Sequence, residues 1–477
     1  MFSAMKRILQ ISFAGILLAF LNANAAEQKL NVLFIAADDL NHDLGCYGHP
    51  MVKSPNIDKL ATRGVRFERA YCQYALCSPS RTSLLSGRRP ETTGIMDNET
   101  PPRTYLGKEV QFLPEYFRAN GYFTARVGKI AHSTFENAIK WDIAENSRGY
   151  KENEDCDDDW GKLNQSGVLG GAVVKFCARP TDDAQEPDGE TARRIVQILE
   201  QHKDQPFFIG AGFHKPHEPL ICPKKYFDLY DWKKVQLPNE PKNDRDDVPA
   251  LSLKRRRPDQ IVTQDRQKQT MAAYYACVSF TDAQVGLILD ALDRLKLRDK
   301  TIVVFFGDHG WHLGEHQGLW RKTTLFEEAT HAPLIISAPG MPGGKVCPRT
   351  VEFLGIYPTL VELCGLPKNS GLQGTSLVPL LKNPSADWKP AFTVLRWKSD
   401  LGKSVRTERW RYSEWNEGKN GQELFDQTKD PFEYTNLAHD EKFAQTVSQM
   451  KALLQEETKS VPYVPPPAQS KKKKKRT

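Results

Sequence analysis

The chain has 477 residues, 39% hydrophobic and 26% charged, an ordinary globular balance with enough length for one large core and a smaller second unit. Its formal net charge of +7 misleads: Lys471 to Lys475 and Arg476 carry six of these charges, Lys6 and Arg7 two more, and the remainder stands at −1. A nearly neutral body argues against a nucleic-acid enzyme.

In chain order, Lys6 and Arg7 precede the apolar run "ILQISFAGILLAFL", and Ala23-Asn24-Ala25 follows. This is the pattern of a cleaved secretory signal peptide, read over 1–25. The run is short for a membrane span and no later segment is long enough, so an exported, periplasmic or secreted protein with no stable membrane insertion is expected. "LNVLFIAADD" reads as a buried strand that stops at two aspartates. "SPNIDKLATRG" reads as a helix, with Ser54 as N-cap and Pro55 in the first turn. "QFLPEYFRANG" is a helix closed by Gly121, and "YFTARVGK" the strand after it. The acidic stretch "ENEDCDDDW" reads as a solvated loop. "GETARRIVQILEQH" and "PFFIGAGFHKPH" form the next helix–strand pair, and Asp231 to Gln267 a polar surface excursion. The long helix "TMAAYYACVSFTDAQVGLILDALDRLK" feeds the strand "TIVVFFGDHG", and "APLIISAPG" is a further strand. Helix and apolar strand in alternation mean a mostly parallel sheet covered on both faces. After about Leu380 the texture turns to "FTVLRW", "KSVRTERWRYSEW" and "QELFDQTKDP", a small antiparallel sheet closed by a helix around "KFAQTVSQMKALLQ". The expected units are 26–385 for the catalytic domain, 386–465 for a C-terminal subdomain and 466–477 for a basic disordered tail.

In an open α/β sheet the ligand sits beyond the carboxyl ends of the strands. Four strands here end in Asp38-Asp39, in Lys129 with His132 behind it, in His214 and Lys215 with His217 following, and in Asp308-His309. Clustered buried carboxylates need compensating positive charge, and a hard divalent cation, calcium or magnesium, is the economical solution. His309 is an unusual ligand for such an ion. The lysines and histidines suit an anionic substrate, through charge neutralisation and proton donation to a leaving group. The arrangement points to phosphoryl or sulfuryl transfer, and it needs a nucleophile. Nine cysteines with no CxxC pair argue against a zinc ribbon.

"CSPSRTSLLSGRRP", Cys77 to Pro90, resembles the C-x-P-S-R sulfatase signature followed by L-x-G. In that family a maturation enzyme oxidises the cysteine to formylglycine, and the hydrated aldehyde attacks sulfur. Pro79 near a first helical turn puts Cys77 at a helix N-terminus, where free N–H groups favour an anion, with Arg81 one turn in. The resemblance covers most of the mature chain and is closest to the iduronate-2-sulfatase branch, through "GKIAHS", "GFHKPHEP", "GDHGWHLGEH", "WRKTTLFEEATHAPLII" and "LQGTSLVPLL". It implies an alkaline-phosphatase-like α/β fold: a large mixed, mostly parallel sheet sandwiched by helices, with a small C-terminal antiparallel-sheet subdomain. It implies that Asp38, Asp39, Asp308 and His309 bind one Ca2+ together with the converted Cys77. Arg81, Lys129, His132, His214 and Lys322 would line the sulfate. His214 is the expected acid for the leaving oxygen and His132 the expected partner for the second hydroxyl, although the two roles could be exchanged. A comparable cysteine pair in that branch implies a Cys156–Cys177 disulfide. Trp311, Trp320 and Arg321 suit a sulfated uronic-acid-containing saccharide, by sugar stacking and carboxylate binding, or else the aromatics belong to the core. Two rival readings stand beside this one: a phosphodiester or phosphonate hydrolase of the same superfamily, and a glycan-binding protein whose Cys77 is never converted.

Overall fold

The computed structural model describes residues 29–150, 156, 168–169, 172–253, 263–459, 461–462 and 464. The signal peptide and basic tail read from the sequence lie outside the described residues, as does the acidic loop apart from Cys156. In chain order the main elements are β1 (Asn31–Asp38), α1 (Pro55–Ala61), β2 (Val65–Tyr71), α2 (Cys77–Ser86), α3 (Leu113–Ala119), β3 (Phe123–Gly128) and β4 (Ile143–Glu145). They continue with α4 (Pro187–His202), β5 (Phe207–Pro216), α5 (Gln264–Arg294), β6 (Thr301–Gly307), the short pair β7 (His312–Leu313) and β8 (Trp320–Arg321), β9 (Leu334–Ser337), β10 (Lys345–Glu352) and α6 (Ile356–Leu363). The small sheet is β11 (Ala391–Trp397), β12 (Asp400–Arg406), β13 (Trp410–Trp415) and β14 (Gln422–Asp426), closed by α7 (Ala444–Lys459).

The large sheet runs β10-β2-β9-β6-β1-β5-β3-β4. Its pairs are parallel except at β9, which is antiparallel to both β6 and β2. The sheet is therefore mixed and mostly parallel, and the small sheet is antiparallel throughout. In the central strand β1, Leu33, Ile35 and Ala37 join one apolar cluster with α4 and α5. Val32, Phe34 and Ala36 join the other, with α2, α3 and α6. Burial on both faces explains why the strand reads as a continuous apolar run.

Two local expectations change. Ser54 precedes α1, but its hydroxyl does not cap that helix. It accepts from Gly45 N–H and donates to Asp58, tying two loops together. The polar excursion after Asp231 is in part buried. Asp244 and Ser252 are buried, Arg245 donates to the His316 carbonyl, and Ser252 donates to Glu423 of the small sheet. The segment thus straps the β7–β8 region to the C-terminal sheet. Cys156 and Cys177 form the disulfide that the resemblance implied, with Cα atoms 5.4 Å apart. Among the described residues, no helix is long and apolar enough to cross a membrane.

Candidate active site

The carboxyl edge of the large sheet gathers the chemistry. β1 ends at Asp38, and Asp39 follows in the left-handed region at φ 60°. β6 ends at Gly307, and the N–H of Asp308 donates to the Ala37 carbonyl at 3.2 Å, so the two strand ends are stitched together. β3 and β5 approach closely through glycines. Gly128 has φ +80°, and a Cβ on Gly212 would lie 2.3 Å from the Lys129 backbone. That clearance lets the Lys129 N–H donate to the Gly212 carbonyl at 3.0 Å.

Cys77 is the first residue of α2, after Leu76 in an extended N-cap conformation. All of α2 is buried, although six of its ten residues are polar: Ser78, Ser80, Arg81, Thr82, Ser83 and Ser86. Ser80 donates to the Asp308 carbonyl at 2.5 Å and Ser83 to the Arg88 carbonyl at 2.7 Å, whereas Ser78 Oγ is buried with no partner among the described residues. Cys77 is only 1% exposed, so the helix mouth is closed. Lys322 closes it: its Nζ lies 3.1 Å from Cys77 Sγ and pairs with Asp39. Burial, then the Asp38 charge, pushes the Cys77 thiol upward.

Asp38, Asp39, Cys77 and His309 each present a possible ligand atom within 4.8 Å of the others, all buried. Asp308 stands directly behind them. Its Oδ1 accepts from the Asp39 N–H at 3.1 Å, and its Oδ2 lies 3.5 Å from His309 Nε2. Asp39 Oδ2 is buried without a hydrogen-bond partner. An orphaned carboxylate oxygen among oxygen donors fits a hard cation. Burial alone would raise Asp38, but Lys129, His217 and Arg81 outweigh it and hold its carboxyl well below the usual range. Lys129 pairs with Asp38; burial opposes its charge, and Asp38 more than restores it.

Arg81 occupies a different place from the one the resemblance implied. Its Nε donates to Asp308 at 2.8 Å, its NH2 to Asp38 at 3.2 Å, and its NH1 to the carbonyls of Lys129 and Ile130. It is 2% exposed. Its donors are directed at the protein, so it braces the carboxylates. His132 and His214 lie on the open side, both partly exposed. Burial, then Lys129, lowers His132 to about 4 and His214 to about 3. Both imidazoles are therefore neutral at pH 7 in the ligand-free protein.

Sequence reasoning missed the brace behind His214. Asp188, in the first turn of α4, accepts from the N–H groups of His214 and Lys215 at 2.9 and 2.8 Å. The signal was a helix opening "PDG", with its carboxylate placed to meet a neighbouring strand end. Lys215, named among the strand ends, is buried, caps the carbonyls of His217 and Pro219, and lies 3.8 Å from the centre of the Tyr150 ring. His217 is nearer the chemistry, with Nε2 3.7 Å from Asp39 Oδ2. The tryptophans are not sugar platforms. Trp311 is 2% exposed and stacks on Tyr274, and Trp320 is 8% exposed. They belong to the core beneath Lys322, whose Nζ lies 5.3 Å from the centre of the Trp311 ring.

A helix mouth bearing a cysteine, a carboxylate cluster and a cationic rim stand together. The sulfatase family model matches residues 30–366. The chain belongs to the sulfatase family. It is accordingly a sulfuric ester hydrolase. A second model, the C-terminal region of N-sulphoglucosamine sulphohydrolase, matches residues 314–460. The chain is 34% identical over 448 residues to a sulfatase of Formosa agariphila, covering 89% of this chain and 86% of that protein. It is 35% identical over 399 residues to human iduronate 2-sulfatase, covering 72% and 70%. Among solved structures, the phosphonate monoester hydrolase of Silicibacter pomeroyi superposes with a TM-score of 0.76 at 22% identity, covering 91% of this chain and 96% of that one. At that identity the likeness shows the alkaline-phosphatase-like fold alone.

Proposed function

We propose that this sulfatase removes sulfate from a uronic-acid-containing glycan, using a formylglycine made from Cys77 and one Ca2+. The observation that carries the reading is the setting of Cys77. It opens a buried helix beside Asp39, whose Oδ2 is a buried oxygen with no donor among the described residues, and Lys322 and Lys129 both act on its sulfur. The similarity to iduronate 2-sulfatase supports a uronic acid as the sugar.

Asp38, Asp39, Asp308 and His309, with the converted Cys77, would hold the calcium. Each Asp308 oxygen keeps a lone pair beyond the hydrogen bond it accepts. Bound there, the ion supplies Lewis-acid polarisation of a sulfate oxygen. The formylglycine supplies an oxygen nucleophile in place of the thiol. Asp38, Asp39 and Asp308 balance Arg81, Lys129 and Lys322, so the protein's own charges cancel; a divalent ion brings the cluster to +2, which favours an anionic ester. Lys129 and Lys322 neutralise sulfate oxygens, and Arg81 keeps Asp38 and Asp308 in place. The negative charge of the ester favours the imidazolium form of His214 and raises it from its low value, while His132 stays neutral. His214 then donates its proton to the departing sugar oxygen, and His132 accepts the proton released as sulfate leaves. The reading includes export after loss of 1–25, conversion of Cys77 by a maturation enzyme, and division of the chain into units 26–385 and 386–465.

Mass spectrometry of the Cys77 peptide, with paired assays on sulfate and phosphonate esters with and without a strong chelator, tests it. Expected are an aldehyde at position 77, preference for sulfate, and loss of activity on chelation that calcium restores. An unconverted cysteine with intact glycan binding would make the protein a non-catalytic binder. Faster turnover of the phosphonate ester would move it to the phosphonate hydrolases.

A further inference from the structure

The cations of the site are nearly all taken by the protein. Arg81 is held by Asp38 and Asp308, Lys129 by Asp38 and Lys322 by Asp39. Arg321 differs. Its side chain is 33% exposed, and its NH2 reaches Glu218 at 2.6 Å. Its Nε is buried and has no hydrogen-bond partner among the described residues. Glu218 takes a single terminal nitrogen, so among the described residues the other terminal nitrogen, NH1, is the donor left for a ligand.

Its position is close to the chemistry on both sides. Arg321 precedes Lys322, whose Nζ lies against Cys77 Sγ. Glu218 follows His217, whose Nε2 is 3.7 Å from Asp39 Oδ2. The ion pair therefore joins the segment that carries His217 to the one that carries Lys322. The backbone is constrained at the same place: Arg321 and Thr323, on either side of Lys322, adopt φ values of 79° and 74°. Non-glycine residues in the left-handed region are strained and persist where the surroundings enforce them. Here they fix Lys322 on the carboxylates and Arg321 at the rim.

We infer that Arg321 is the specificity-determining residue of this sulfatase, binding the carboxylate of a uronic-acid substrate while Lys322 engages the ester. A planar guanidinium offers paired N–H donors that match the two oxygens of a carboxylate, which an ammonium does not. Glu218 holds the guanidinium in the cleft and keeps it ordered before substrate arrives. This inference rests on the uronate reading above.

The test uses the matured, calcium-loaded full chain and two esters: an aryl iduronide 2-sulfate, and the same glycoside with its carboxyl reduced to the alcohol. The readout is the ratio of kcat/KM for sulfate release. Hydrogen bonds to charged groups predict a wild-type preference of about 10- to 100-fold for the carboxylate. In Arg321→Ala the ratio falls to about one, mainly through KM. In Glu218→Gln, which breaks the ion pair but leaves the guanidinium, the preference persists or rises. A preference that survives Arg321→Ala overturns the inference. So does a Glu218→Gln variant that loses the preference as fully as Arg321→Ala, because Arg321 would then be only a loop brace. Equal wild-type rates on the two esters overturn the uronate reading itself, and the inference with it.

Discussion

Two clusters of charge are buried in this molecule, and they are finished differently. At the join between the sheets, Glu327 and Glu433 face Arg406 and Arg411. Arg411 donates to Glu433 at 2.5 Å, to Glu327 and to Ser404, and Arg406 donates to Glu327, Gln427 and the Thr407 carbonyl. Tyr71 donates to the other Glu327 oxygen at 2.7 Å, and Glu433 Oε2 accepts from the Glu327 N–H at 2.9 Å. Among the described residues, none of these four side chains has a buried polar atom without a partner. In the active site three carboxylates also balance three cations, yet Asp39 Oδ2, His132 Nδ1 and Ser78 Oγ are buried and unpartnered. Each cluster pairs equal numbers of acidic and basic side chains, so that count does not separate them. Hydrogen-bond completion does. The first cluster closes on itself and joins two sheets; the second leaves atoms for something that is not protein.

The largest effect expected from this contrast lies at Cys77. Cys77→Ala should lower sulfatase turnover by at least about 10⁴-fold, since removing a covalent nucleophile costs that much or more. Its thermal unfolding should stay close to that of the parent, because one buried sulfur atom is removed and no ion pair is broken. Substantial residual turnover would remove the active-site cluster from the comparison.

His214→Ala sharpens the same cluster. A sugar alkoxide needs protonation as it leaves, and a nitrophenolate does not. The variant should therefore lose about 10²–10⁴-fold more on a sulfated sugar than on an aryl sulfate. Equal losses on both would reduce His214 to an electrostatic contact and shift attention to Lys322.

Glu327→Gln addresses the other cluster. It leaves Arg406 and Arg411 short of a buried counter-charge, a change that costs about 3–5 kcal/mol. Urea unfolding should show that loss, while turnover per folded molecule stays near the parent's. If turnover falls as far as in Cys77→Ala, the two clusters are not separable.

The smallest effect is in pH. Burial raises Glu327, but Arg406 and Arg411 outweigh it and depress its carboxyl. A depressed carboxylate contributes stability that is present above its unfolded value, near 4.3, and is lost as pH falls towards its folded value. The stability difference between parent and Glu327→Gln should thus be constant from about pH 5 upward and shrink below about pH 4, by at most about 1.4 kcal/mol per pH unit. A difference that grows on acidification would contradict the sign.

Much of this was legible in the chain. The alternation of helix and apolar run is a local signal, and it placed β1, β3, β5 and β6 and the residues at their carboxyl ends. The motif "CSPSRTSLLSG" carried the sulfatase resemblance and singled out Cys77 as the residue to test, and the change of texture near Leu380 marked the small sheet. The antiparallel course of β9 was not legible, because an apolar run has no direction until its neighbours are known. Nor was the bracing role of Asp188, which depends on a helix start meeting a strand end 26 residues away.

The sequence by itself determined which groups exist and which strand end carries each, because backbone periodicity and turn chemistry act over a few residues. Only the tertiary structure decided their duties. Arg81 became a brace once Asp38 and Asp308 lay within reach of one guanidinium. Trp311 and Trp320 became floor rather than wall once the β7–β8 pair folded over α5. Lys322 closed on Cys77 from 245 residues away. Each outcome depends on which donors and acceptors meet in a place without water, and burial sets that only when the whole chain has packed.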